Sequence, residues 1–555
     1  MPVETDGASP ALYRARGWWR PERLDELVLR HAAGAGDRPA VVGAQALTHA
    51  GLASAVDAAA QGLTDLGLKA PRPVLVQLPN SVELLALTLA LLRMGCPPIL
   101  AHPALRRHEL LPVVADLAPV AAAVPARSGA FDHPEMVREL RHHQSALATT
   151  LVLGGSEALG PGEVDLQEAL GAAAPSAQRP THRTQAGDTA LYFLSSGTTG
   201  PPKPVPRTHE ALGFVLRHAS VVAGLGPESV YLAALPATHC FTCAYPGVLG
   251  TLASGGAVAL AAEGDVELLL DLFESVRPTH CALVPALVEQ LLEYAPLRPV
   301  PRDLKPVIQV GGARLDPVTA GRVRTELGWR LQQGYGMSEG LVCFTRLDDP
   351  DEVVVAVQGR PVAPGDELLV VGEDGRPVPA GEEGELWVRG PSVITAYAGR
   401  AERETGRFGP EGHYRTGDLV RMTPDGNVVV TGRLKDVINR AGEKIPADDV
   451  EALLVRHPLV RAVAVVGFPH QIYGEGTCAV VVPDPSADGQ PLTLWRLRRY
   501  LTEQGLAPYK LPDRLLLAEE LPRVGVGKVD KAAVRRLVEG RGCPPEPLPS
   551  AVSSD

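Results

Sequence analysis

The sequence has little cysteine, no long apolar run and no excess of positive charge, and each lack removes a class of protein. Seven cysteines among 555 residues are scattered and odd in number. A small secreted disulfide scaffold carries a dense, even set, so these thiols predict a reducing cytoplasm. The first residues, MPVETDGASPALYRARGWW, have no basic start followed by an apolar core, and no signal peptide is expected. The most apolar stretch, Ser81 to Met94, carries Glu83 and Arg93 and is too short to span a bilayer. It predicts a buried helix, capped by Asn80 or Ser81. The formal net charge of −11 excludes a general affinity for nucleic acid or anionic membrane. No basic stripe or amphipathic basic helix offsets it, and no internal repeat is visible.

What is there reads as a large globular protein. Hydrophobic residues make up 45% and charged residues 21%, the balance of a soluble domain. At about 150 residues per domain, the length suggests roughly three or four domains or subdomains. Residues 25–125 alternate helical and strand-like segments, with Val74 to Leu78 a short buried strand, which predicts an α/β layer with a mostly parallel sheet. Residues 154–187 are rich in Gly, Ala, Pro and Ser and read as a surface excursion. Residues 352–432 hold short strands separated by turns such as Glu373-Asp374-Gly375 and Pro424-Asp425-Gly426, and predict a small β-barrel. After Gly432 the pattern changes. Pro446 and Asp448-Asp449 open a helix with Val450, Leu453 and Leu454 on one face; a strand at 462–466 follows, then a helix from Leu494 ending at Gly505, then one capped by Asp530. The tail from Arg541 has no apolar periodicity and is expected to be disordered.

The most informative stretch is Leu194-Ser195-Ser196-Gly197-Thr198-Thr199-Gly200-Pro201-Pro202-Lys203. Small residues let backbone amides approach phosphate oxygens, hydroxyls add donors, and the lysine adds charge. A flexible linker would have similar composition. The P-loop pattern fails: counted from Gly197, Pro202 stands where the second glycine belongs, and Pro204 follows Lys203 where Ser or Thr is required.

Four more motifs follow in order: Gly334-Tyr335-Gly336-Met337-Ser338-Glu339, Tyr414-Arg415-Thr416-Gly417-Asp418, Gly432-Arg433-Leu434-Lys435-Asp436 and Gly525-Val526-Gly527-Lys528. Together the five resemble the adenylate-forming superfamily of acyl-CoA ligases, luciferases and peptide-synthetase adenylation domains, over the whole chain up to the tail. The resemblance implies an α/β fold: a large N-terminal domain (1–434) of layered α/β subdomains plus the β-barrel, a small mobile α+β C-terminal domain (435–540), and the tail 541–555. It implies ATP and Mg²⁺ as cofactors. Ser195, Ser196, Gly197, Thr198, Thr199, Gly200 and Lys203 would cradle the β- and γ-phosphates. Tyr335 would pack on adenine, with Gly311, Gly312, Ala313, Gly336, Met337 and Ser338 around the nucleotide. Glu339 would hold Mg²⁺, a hard cation that prefers oxygen ligands. Asp418 would accept from the ribose hydroxyls and Arg433 would contact ribose or phosphate. Lys528 would be the catalytic lysine that bridges the acid carboxylate and the α-phosphate; the charge concentrated at phosphorus in the transition state requires such a cation. Lys435 matches the hinge, and Gly442 would come forward to line the route of a thiol.

Within that superfamily the chain is most similar to stand-alone aryl-acid AMP ligases of the 2,3-dihydroxybenzoate and salicylate type that feed siderophore synthesis. The phrases that carry this include Pro206-Arg207-Thr208-His209, Gln309-Val310-Gly311-Gly312-Ala313 and Asn439-Arg440-Ala441-Gly442-Glu443-Lys444. The acid pocket departs from the dihydroxybenzoate pattern. His239-Cys240-Phe241-Thr242-Cys243-Ala244-Tyr245-Pro246 stands where those relatives read His-Asn-Tyr-Pro-Leu-Ser-Ser-Pro. His239 would serve the acid's carboxylate, and Cys240, Phe241, Tyr245, Gly312, Val342 and Cys343 would line the ring slot. Cys240 and Cys343 stand in place of Asn, and Tyr245 in place of Ser. An unpaired ligand hydroxyl is expensive, so 2,3-dihydroxybenzoate is expected to be a poor substrate and another substituted aryl acid, amino-bearing or heteroaromatic, a better one. Cys240-x-x-Cys243 beside His239 also admits a zinc or redox reading, though no second ligand cluster accompanies it. No carrier module is fused, so the acceptor is expected in trans: the phosphopantetheine thiol of a carrier protein, or coenzyme A. Aryl-CoA ligation, amide or nitrogen chemistry on the adenylate, and nucleotide binding without turnover remain the other readings.

Overall fold

The structure, a computed structural model, describes residues 9–155, 159–171, 184–195, 202–261, 265–298, 300–301, 303–399, 405–434, 437–484, 491–524 and 528–540. Two mainly parallel sheets form the large N-terminal domain. The seven-stranded sheet runs Lys203–Thr208, Thr189–Ser195, Pro98–Leu100, Val74–Val76, Ala121–Pro125, Thr149–Leu153, Glu163–Asp165. The nine-stranded sheet places Val307–Val310, His280–Leu283, Val230–Ala233 and Ala257–Leu260 at its centre, all parallel, with Arg330–Gly336 beside Val307–Val310. The strands Val74–Val76, His280–Leu283 and Val307–Val310 are buried along their whole length, as parallel strands covered on both faces must be.

The helix Val82–Met94 is packed between these layers. Leu84 to Leu92 are all buried, so almost no polar face remains. Ser81 caps it, its hydroxyl accepting from the Leu84 amide at 3.1 Å, and Gly95 ends it in the left-handed conformation. The preceding Asn80 does something else. Its amide nitrogen donates to the Ala233 and Leu235 carbonyls at 3.0 and 2.9 Å, and its oxygen accepts from the Ala237 amide at 2.7 Å. One side chain thus ties the loop after a strand of one sheet to the end of a strand of the other.

Two expectations are corrected. Part of the stretch 154–187 is not an excursion: Glu163–Asp165 extends the seven-stranded sheet, and the helix Leu166–Gly171 buries Leu166, Ala169 and Leu170. Gly62 lets that helix approach, since a Cβ there would sit 1.9 Å from the Ala169 oxygen. The stretch 352–432 is not a closed barrel. Glu367–Val371, Glu383–Arg389, Tyr414–Met422 and Val428–Arg433 form an open antiparallel meander in chain order. The outer edge of its last strand is occupied by another segment, because Gln358 donates to the Val428 carbonyl at 2.8 Å and Val428 to that of Gly359 at 2.7 Å.

The small C-terminal domain is one mixed sheet covered on both faces. Val460–His470 and Gly474–Pro483 pair along their length, flanked by Val437–Arg440 with Glu443–Pro446 and by the parallel strand Arg514–Leu517. Ala447–Leu454 and Leu494–Glu503 cover one face and Lys531–Gly540 the other. Among the described residues no helix is long and apolar enough to cross a membrane.

Asn80→Ala leaves two buried carbonyls and one amide without their partner, and is expected to lower stability by about 2–4 kcal/mol in urea denaturation. A change within 0.5 kcal/mol or so would show that water replaces the side chain.

Candidate active site

The central parallel strands of both sheets end at one cavity of about 580 Å³. Open α/β sheets place ligands at the carboxyl ends of their strands, where loops diverge and backbone groups are free. Leu100, Ser195 and Val310 all close strands that point this way. The meander supplies a third wall and the small domain a fourth.

The nucleotide residues expected from the sequence converge here. Ser195, Lys203, Gly311, Gly312, Ala313, Tyr335, Gly336, Met337, Ser338, Glu339, Asp418 and Arg433 all line the cavity. Ser196, Gly197, Thr198, Thr199 and Gly200 lie outside the described residues, as does Lys435. Lys528 opens a two-residue strand paired with Arg523–Val524, and its side chain lies outside the description. Tyr335 and Arg433 both reach Asp418: the phenol donates to Oδ2 at 2.7 Å, and the guanidinium Nε lies 2.7 Å from Oδ1. The meander fixes this pair, since Asp418 and Arg433 face each other across adjacent strands. Glu339 is buried, with Oε1 accepting from the Tyr397 hydroxyl at 2.6 Å. The Lys203 ammonium lies 5.5 Å from the centre of the same Tyr397 ring. One acidic and one basic group therefore face the cavity around a tyrosine.

The other end of the cavity is a slot with neutral walls. Cys240, Phe241, Tyr245, Gly312, Val342 and Cys343 line it as expected. His239 caps the short helix Cys240–Ala244, its Nδ1 accepting from the Phe241 amide at 3.3 Å, which leaves Nε2 for the cavity. The ring is open to the cavity, and desolvation by the surrounding walls lowers its pKa, which favours the neutral imidazole. Burial pushes the Cys240 thiol up to about 12 and raises Cys343 as well, so neither wall residue carries charge. The Tyr245 hydroxyl donates to the Ser338 carbonyl at 3.4 Å. Cys240 accepts from Ser338 Oγ at 3.4 Å. Among the described residues no three His, Cys, Asp or Glu side chains come together as a metal site, and Cys240 and Cys243 belong to the packed wall.

Three groups here had no assigned role in the sequence. Lys444 enters the cavity from the small domain and donates to the Gly312 carbonyl at 2.6 Å; burial brings its pKa down to about 7. Tyr397 links Glu339 to Tyr414, the two hydroxyls 2.8 Å apart. Arg207, quoted above only as part of a phrase, is fully buried behind the slot, with Nη1 donating to the Ser338 carbonyl at 3.3 Å. Its Nε and Nη2 and the nearby Asp366 Oδ2 have no partner among the described residues.

The AMP-binding enzyme family matches residues 28–398, and the C-terminal domain of AMP-binding enzymes matches residues 449–528. The chain belongs to the AMP-binding enzyme family. Its full-length relatives include a salicylyl-CoA synthase / salicylate adenylyltransferase from a Streptomyces species, 43% identical over 95% of this chain and 96% of the relative. A salicyl-AMP ligase / salicyl-S-ArCP synthetase from Mycobacterium tuberculosis is 41% identical over 97% and 94%. The 2,3-dihydroxybenzoate-AMP ligase of Bacillus subtilis is 38% identical over 95% of each chain. Among solved structures, apo MbtA of Mycobacterium smegmatis has a TM-score of 0.71 at 36% identity, covering 97% of this chain and 98% of its own. The amide bond synthetase McbA of Marinactinospora thermotolerans reaches 0.81 at 28% identity, covering 93% and 99%. This AMP-binding enzyme is an acid–AMP ligase, with the large and small domains of that family.

Asp366 gives its buried environment a measurable signature. Burial holds its carboxyl up at about 7, against an ordinary value of 3.8. Between those two values the folded state keeps a proton that the unfolded chain has released, so stability falls as pH rises through this window. Asp366→Asn removes that dependence. It is expected to raise stability by roughly 2–4 kcal/mol at about pH 8 and to leave it nearly unchanged at about pH 4, in urea denaturation at both. An equal effect at both would show that Asp366 is ionised in the fold.

Proposed function

We propose that this AMP-binding enzyme activates an aryl carboxylic acid bearing an ortho hydroxyl as its acyl adenylate and hands the acyl group to a carrier-protein thiol. One observation carries the reading: a slot of neutral walls, with His239 at its mouth, opens directly onto a cavity end holding Lys203, Glu339, Asp418 and Arg433. A flat, apolar ring fits the first half and a nucleotide the second.

In the first step a carboxylate oxygen attacks the α-phosphorus of ATP, the bond to the bridging oxygen breaks, and pyrophosphate leaves. Asp418 holds the ribose; Tyr335, already bound to it, packs beside the base; Arg433 and Lys203 meet phosphate charge. Mg²⁺, held by Glu339 and phosphate oxygens, would neutralise charge on the triphosphate. A site with one buried carboxylate fits a cation that shares its shell with substrate. Neutral His239 donates to the acid's carboxylate without charge. Lys528 supplies the cation between carboxylate and α-phosphate. In the second step a thiolate attacks the acyl carbon, the bond to the AMP oxygen breaks, and AMP leaves. Gly442 and Lys444 stand on the side from which the thiol enters. The division near residue 434, with Lys435 as hinge, permits the small domain to serve both steps.

The ortho hydroxyl rests on relatives whose names specify salicylate, and they favour it over the amino-bearing and heteroaromatic acids expected from sequence alone. The wall supports a single ring hydroxyl. Cys240 already accepts from Ser338 and Tyr245 is committed to the Ser338 carbonyl, so no side-chain amide greets a second hydroxyl.

Acid-dependent ATP–pyrophosphate exchange tests the reading across salicylate, 2,3-dihydroxybenzoate, aminobenzoates and heteroaryl acids. Salicylate is expected to exceed 2,3-dihydroxybenzoate in kcat/KM by about tenfold, the cost of one unpaired hydroxyl. Preference for dihydroxybenzoate would overturn the pocket assignment. Lys528→Ala is expected to slow exchange by about 10³-fold or more, and chelation of Mg²⁺ to abolish it. Exchange that survives both would remove Lys528 and Glu339 from the chemistry. Single-turnover transfer to a carrier protein, to coenzyme A and to a simple amine separates the acceptors, and preference for the amine would replace thiol transfer by amide formation.

A further inference from the structure

The segment from His102 to Glu109 of the large domain meets the small domain through side chains that the chemistry does not use. Glu109 is fully buried. Its Oε1 faces the Lys510 ammonium at 3.1 Å and accepts from the Ala507 amide at 3.2 Å; its Oε2 accepts from the Arg106 amide at 3.0 Å. Lys510 is buried too, and donates to Asp449 Oδ2 at 2.8 Å. The other oxygen of Asp449 lies 3.0 Å from His108 Nε2. The His108 amide donates to the Gly505 carbonyl at 3.1 Å. Gly505, with φ +77°, has no room for more, since a Cβ there would lie 3.2 Å from that of Arg107. At the cavity rim His102 Nε2 is 3.2 Å from Glu443 Oε1. Glu443 sits between Gly442 and Lys444, the residues through which the small domain lines the cavity.

The arrangement is two-sided. Glu109 and His108 come from one domain, Lys510 and Asp449 from the other. A buried carboxylate and ammonium tolerate desolvation only while they face each other; separated, each must return to water. The pair is therefore complete in one orientation of the small domain, the one that seats Gly442 against Val284 and Lys444 on Gly312. A Cβ on Gly442 would come within 2.6 Å of Val284 Cγ1, which shows how closely this seat is fitted.

We infer that Glu109 and Lys510 are positioning residues for the thiol-transfer half-reaction, their buried pair fixing the orientation in which the Gly442 loop lines the cavity. The inference rests on the reading above, in which activation and transfer use different orientations of the small domain. Glu109 lies outside the cavity lining, and Lys510, which reaches it, is engaged by Glu109 and Asp449. The pair selects the transfer orientation and leaves activation to the other.

Glu109→Gln is the direct test, because it removes the charge and keeps an acceptor for the Arg106 amide. Acyl transfer in single turnover is expected to fall by about tenfold or more, with pyrophosphate exchange within about twofold of wild type. His108→Ala, which leaves the Glu109–Lys510 pair intact, is expected to shift transfer in the same direction by less, and carries the test should Glu109→Gln not fold. Equal loss in both half-reactions, or no loss in either, overturns the inference. A direct readout stands apart from activity. Dye transfer between Leu297→Cys and Ile472→Cys, both exposed, in a Cys543→Ser background reports the closeness of the domains. It is expected to fall in Glu109→Gln, and unchanged transfer overturns the latch. If wild type shows no acid-dependent exchange, the activity reading fails by itself and the dye pair alone decides the latch.

Discussion

The site depends on one stretch of backbone that two adjacent glycines leave bare. Gly311 and Gly312 follow the strand Val307–Val310, and everything in the cavity approaches them. A Cβ on Gly311 would lie 3.2 Å from the Phe241 ring and narrow the acid slot. Gly312 takes φ +79°, a conformation that other residues adopt only with strain, and its carbonyl receives both Lys444 and Asn439 of the small domain. One bare turn therefore lets an aromatic wall close from one side and a mobile domain from another. The same turn lines the cavity between the Phe241 ring and the Gly442 loop.

Around that turn, charge is distributed unevenly for a physical reason. The slot holds thiols and a phenol whose burial keeps them protonated, and a histidine whose pKa is lowered by desolvation. The nucleotide end holds Lys203, Glu339, Asp418 and Arg433, each with a partner. The two ends of the cavity therefore differ: side chains without charge line one, and two basic and two acidic side chains line the other. The interdomain charges follow another rule. Burial disfavours the Asp449 charge, but His108 and Lys510 outweigh it and hold the carboxyl down at about 2. Such groups contribute little where water can reach both partners, and act where two surfaces must close on each other.

Much of this was legible in the sequence because motifs with fixed spacing fold into fixed local geometry. The strand Thr189–Ser195 and the Gly334–Glu339 segment form where the sequence pattern suggested, and Asp418 and Arg433 of two other motifs line the same cavity. The helix caps at Ser81 and Asp530 and the glycine stops at 95 and 505 follow local rules. The errors came where composition stood in for contacts. Gly, Ala and Pro suggested an excursion before residue 187, but Gly62 on a distant helix makes room there for a packed turn. Short strands and turns suggested a barrel, but Gln358 and Gly359 take the edge that closure requires.

The sequence by itself determined the family motifs, the two-domain order and most local elements, because these rest on short-range spacing and side-chain type. The tertiary structure alone decided which groups share a space. Arg207 behind Ser338, Tyr397 between Glu339 and Tyr414, Asn80 across two sheets and Glu109 against Lys510 join residues between 17 and 401 positions apart in the chain where no period or motif connects them. Burial turns such pairings into energy, and burial is a property of the packed whole.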